Sequence, residues 1–181
     1  MNRAKIYTKL RKEIREYRNE QPEWFRRSLG DWLLQMRSMY TSKFLTLEWR
    51  QYDSGEPYFT QLLGMAIMCM EDSGMVGCGC NAQPGYSSLD PIILAVERGC
   101  RHQIPGDQKD YAIRIDCYLR NAFEAHASID GAIALDCVCR IASLAALGIE
   151  NKPLGEWNGK VDNCKSNENQ TIASRKQTDP A

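Results

Sequence analysis

The sequence predicts an all-α fold: a single-domain bundle of about six helices, spanning 1–158, with a polar, disordered tail at 159–181. Three observations predict it. Apolar residues recur at helical spacing in successive stretches, each bounded by Pro, Gly or a capping residue. Residues 128–149, SIDGAIALDCVCRIASLAALGI, are apolar on all but the narrow stripe of Asp136, Arg140 and Ser143, as a central core helix would be. Length and composition agree, since 181 residues with 43% apolar and 25% charged side chains suffice for one sizeable core.

Taken in order, residues 3–20 place Ile6, Leu10, Ile14 and Tyr17 on one thin face of a charged amphipathic helix. Gln21-Pro22 breaks it, and Pro22 suits the first turn of a second helix running to about Tyr40, with Trp24/Phe25, Leu29, Trp32/Leu33 and Met36 inward. Residues 41–60 read as a connector with a turn at Ser54–Pro57. Pro57 opens a third helix through Leu62, Ile67 and Met70 that ends near Ser73-Gly74, where a Gly-dense irregular segment begins. Asp90-Pro91 starts a fourth helix, ending near Gly99. Asp107 caps a fifth that runs to about His126 and forms an antiparallel pair with the core helix. For that core helix, Ser128 or Asp130 is the expected start and Gly148 the expected left-handed residue just past the end. Its two mid-helix charges argue against a membrane span.

Net charge is zero but unevenly spread. Residues 1–50 hold 12 Lys/Arg against 6 Asp/Glu, and 11 of the 16 aromatics precede residue 60. The charged N-terminus lacks the apolar core of a signal peptide, so the expectation is a cytoplasmic protein whose eight cysteines are thiols.

Two side-chain sets have metal-binding chemistry. Cys78, Cys80, Cys100 and His102 offer three thiolates and an imidazole, a tetrahedral zinc set, although one-residue spacing within each pair limits convergence. Glu71, Asp72, Asp116, Glu124, Asp130 and Asp136 offer hard oxygens that facing helices could aim at magnesium. Within that set, QLLGMAIMCMEDSGMV and ALDCVCRIASLAALGI resemble the two signature helices of MazG-like nucleotide pyrophosphohydrolases, an acidic E-E-x-x-E helix and a later E-E-x-x-D helix with a Leu-Gly-Ile-type cap. The resemblance covers about 32 residues and implies Glu71, Asp72 and Asp136 as catalytic metal ligands. Met75 stands where the third acid of the first motif belongs, and apolar residues precede Asp136 where the family has a glutamate pair.

The favoured expectation is a non-enzymatic interaction protein (an inhibitor, adaptor or assembly factor) with no cofactor required. Its partner-binding residues would be Arg11, Arg15, Arg18, Trp24, Arg26, Arg27 and Arg37 on the basic, aromatic N-terminal helices, because Trp and Arg dominate interface energetics. A protein partner is expected, and a homodimer fits the same surface. The alternatives are a divergent MazG-like metal-dependent nucleoside triphosphate pyrophosphohydrolase and a nucleic-acid-binding protein. The interleaved Glu13, Glu16, Glu20 and Glu23 weaken the positive field that nucleic acid needs.

Overall fold

A computed structural model of the chain describes residues 3–22, 26–44, 55–74 and 90–150. Within them the backbone forms six helices and no strand: α1 (Arg3–Asn19), α2 (Leu29–Lys43), α3 (Glu56–Asp72), α4 (Pro91–His102), α5 (Gln108–Ala127) and α6 (Gly131–Glu150). The chain is an all-α bundle, as its periodicity predicts. The expected tail at 159–181 and the Gly-dense segment after Gly74 lie outside the described residues.

α6 is the centre. Ala134, Val138, Ile141, Ala142, Leu144 and Ala145 are fully buried, with α5, α3 and α4 packed around them. α2 bridges α3 and α5, and α1 lies across α3. Small side chains let the axes approach closely. A Cβ on Gly148 would sit 2.5 Å from the Phe59 ring, and one on Gly99 would sit 2.0 Å from Ser143 Oγ. Gly148 is therefore an internal helical residue in contact with α3, not the residue past the helix end that its sequence context suggests. α6 runs on to Glu150.

Buried polar groups lock the ends of these helices. Gln108 is fully buried; its Nε2 donates to Gly148 O at 2.7 Å and its Oε1 accepts from Gly55 N at 3.2 Å. One side chain thus ties the start of α5 to the start of α3 and the end of α6. Ser143 Oγ lies 3.0 Å from Val96 O and 2.9 Å from Cys139 O, satisfying the other polar residue in the core.

One helix start differs from expectation for a local reason. α2 begins at Leu29 because Ser28 and Asp31 form a reciprocal capping box, which fixes the first turn there and not at Pro22. Of the two starts expected for α6, the structure takes Asp130: the helix begins at Gly131, with Asp130 Oδ1 accepting from Ile133 N at 3.0 Å, while Ser128 caps the end of α5. Between them Ile129 takes a φ of +63°. Asp130 N donates to Ala125 O at 2.9 Å and Ile129 N to His126 O at 3.1 Å, the paired bonds of a Schellman motif. Glycine is the usual residue at that position, and here it is a β-branched one. α4 also continues one turn past Gly99, to His102.

Candidate functional site

α1 buries Ile6, Tyr7, Leu10 and Ile14, and Arg3, Arg11 and Arg18 line one flank of that face, about two turns apart. Each meets carboxylates from other elements. Arg11 pairs with Glu71 at the end of α3 and with Asp90, the cap of α4. Arg18 Nη2 lies 2.6 Å from Asp72 Oδ1 and 3.7 Å from Glu71 Oε2. Arg3 Nε lies 3.1 Å from Glu150 Oε1 and 3.6 Å from Glu97 Oε1. The result is a charged seam along the underside of α1.

Asp72 is the hub of this seam, its side chain only 3% exposed. Besides Arg18 it accepts from the Trp32 indole Nε1 at 2.9 Å and from the Arg27 backbone N–H at 3.1 Å, both at Oδ2. Three charge-assisted bonds anchor α1, the entry to α2 and the body of α2 to the last residue of α3. Burial, with Glu97 next in effect, pushes the Tyr7 phenol well above its ordinary pKa at the other end of the seam.

The seam engages much of what the sequence offers for a partner. Arg11 and Arg18 bind Glu71, Asp72 and Asp90, and Arg37 pairs with Asp116 across the α2–α5 contact. Arg27 lies over the Trp32 ring, 5.2 Å from its centroid, and bonds Gln35. Arg15 and Arg26 are exposed; Trp24 lies outside the described residues. Lys5, Lys9 and Lys12 complete the outward face of α1, where Lys9–Glu13 and Lys12–Glu16 pair at 3.8 and 3.7 Å.

Glu71 and Asp72 share this seam, and Asp136 stands apart from it. α3 and α6 pack against each other, with Gly148 against Phe59. However, Asp136 sits on the exposed stripe, its Oδ2 accepting from Arg140 Nε at 2.7 Å, and Arg140 lies over the Tyr118 ring of α5. The carboxylate that the resemblance would place with Glu71 and Asp72 is 61% exposed and engaged by Arg140 instead. Asp116 pairs with Arg37 and Arg120, and Asp130 caps α6, while Glu124 is exposed.

Cys78 and Cys80 of the zinc set lie outside the described residues. Of the other two, Cys100 is buried against α6 with Sγ donating to Ser143 O at 3.4 Å, and burial raises its thiol pKa. His102 faces solvent. Among the described residues, no three His, Cys, Asp or Glu side chains are grouped to hold a metal ion. α6 is the one described helix long and apolar enough to cross a membrane, and 61% of its apolar window is buried inside the bundle.

Sequence reasoning missed Trp32 and Asp72 as partners, and the seam as a whole. Its one sequence signal is the spacing of Arg3, Arg11 and Arg18 beside an apolar stripe. No protein-family model, no curated protein and no solved structure matches the chain.

Proposed function

We propose that this chain is a non-enzymatic, cytoplasmic interaction protein, an inhibitor, adaptor or assembly factor, that binds a protein partner through the outer face of α1. The observation that supports this is a division of labour among the N-terminal cations. Arg3, Arg11, Arg18 and Arg37 hold the bundle together, whereas Lys5, Lys9, Lys12 and Arg15 project outward from one helix face, with Arg26 exposed nearby in sequence. Glu13 and Glu16 alternate with those lysines. Such mixed charge matches a protein surface of alternating sign better than a phosphate backbone, which rewards uninterrupted positive charge.

The test is affinity capture by the full chain beside a Lys5→Glu, Lys9→Glu, Lys12→Glu, Arg15→Glu variant of equal helix content. A protein held by the first and lost by the second is the expected result. A gel-shift with DNA or RNA whose affinity falls steeply with salt would move the reading to nucleic acid. Magnesium-dependent release of pyrophosphate from nucleoside triphosphates, abolished by Glu71→Gln, would replace it with an enzyme.

A further inference from the structure

We propose that the turn between α5 and α6 is a docking surface, and that it takes an amphipathic helix of another protein whose apolar stripe runs between lysine or arginine side chains. Two costs meet at Ile129. Its φ of +63° lies in the left-handed region, an outlier for a β-branched residue, and its side chain is 94% exposed. Glycine would ease the backbone and a polar side chain would suit the water, yet isoleucine stands there. Backbone strain of this kind gathers at binding and catalytic sites.

Ile133, four residues on, is 54% exposed, and Ala127 and Ala132 also face solvent, so the turn offers an apolar patch rather than one stray side chain. The backbone that carries it is pinned: Ile129 N donates to His126 O, Asp130 N to Ala125 O and Ile133 N to Asp130 Oδ1. A patch held this way has little order left to gain on binding. Charge selects the occupant. From Asn121 to Cys139 the chain has Glu124, Asp130 and Asp136 and neither lysine nor arginine, which gives the patch an acidic rim. Such a rim repels nucleic acid and anionic lipid. In a two-fold contact with a second copy, the same carboxylates would confront one another. A basic-flanked apolar stripe answers both features, with apolar side chains over Ile129 and Ile133. Arg140 already engages Asp136, and the partner's cations meet Glu124 and Asp130. This inference stands independently of the partner proposed for the outer face of α1.

The probe is a fluorescein-labelled helical peptide with a leucine stripe between two rows of lysine, titrated with the full chain and read by anisotropy. It should bind the parent, and bind Ile129→Gly and Ile133→Ser about tenfold more weakly. Leu34→Ser, which removes a 61% exposed leucine from α2, should bind it as the parent does. Ile129→Gly is the decisive variant, because glycine suits a left-handed position and the fold is kept. Absence of binding to the parent, or equal affinity for the parent and Ile129→Gly, overturns the proposal. Equal binding of a peptide with glutamate in place of lysine overturns it too, since the acidic rim then selects nothing. Two further results would assign the turn to another occupant and also overturn it. One is Ile129-dependent sedimentation with vesicles of phosphatidylcholine and phosphatidylglycerol; the other is a two-chain mass by light scattering that Ile129→Gly abolishes.

Discussion

The Trp32 indole N–H donates to Asp72 Oδ2 across 2.9 Å, and the same carboxylate holds Arg18 through its other oxygen. Both oxygens of Asp72 are thus engaged with groups from α1 and α2, in a position almost closed to water. A carboxylate so occupied is a tether: it fixes where the first two helices lie on the third. Its neighbour Glu71 is tied down in the same way by Arg11.

The link between α5 and α6 carries avoidable strain. Ile129 holds a φ of +63° while 94% exposed, so its side chain gains little from packing. An L-residue in the left-handed region costs about 1–2 kcal/mol, of which glycine recovers part after its own entropy loss. Ile129→Gly is expected to stabilise the fold by about 0.5–1 kcal/mol, read as a higher denaturant midpoint at unchanged slope.

Gly148 and Gly131 make a matched pair on one helix. A Cβ at Gly148 would enter the Phe59 ring, whereas at Gly131 nothing lies within 4 Å. Gly148→Ala should cost about 1–3 kcal/mol by overpacking, and Gly131→Ala should be neutral or stabilising by up to about 1 kcal/mol. Thermal unfolding of the two variants checks both signs at once.

The tyrosines give the bundle an alkaline limit. Burial, and next the nearby Asp116, hold the Tyr40 phenol well above its ordinary 10.0, and burial does the same for Tyr7. The folded state therefore binds these protons more tightly than the unfolded state. The stability they confer is complete below pH 10 and is lost progressively as pH rises above it. In a spectrophotometric titration, the component removed by Tyr40→Phe should ionise only together with loss of the far-UV helix signal. That substitution itself deletes the bond to Ala112 O, at 2.9 Å, and should cost about 1 kcal/mol.

The core of this fold is plain in the sequence because α6 is nearly all apolar and Ala-rich, and such a helix has no stable place but the middle. Its C-terminal boundary is not, since a glycine admitted for close contact with Phe59 has the same letter as one ending a helix. The start of α2 was legible in Ser28-Leu29-Gly30-Asp31, a capping box that Pro22 overshadowed. The seam was the least legible feature, because Arg11 and Glu71 are separated by 60 residues and local spacing carries no sign of their pairing. An arginine that braces the bundle and one that greets a partner look alike until burial distinguishes them.

The most direct test compares Asp72→Ala with Asp136→Ala by chemical denaturation. Removing Asp72 strands the Trp32 and Arg27 N–H groups and the Arg18 guanidinium, and should cost about 3 kcal/mol or more. Removing Asp136 breaks one exposed pair with Arg140 and should change stability by about 0.5 kcal/mol or less. If the two substitutions cost the same, or if Asp72→Ala leaves stability intact, the seam does not hold the helices in place and the account fails.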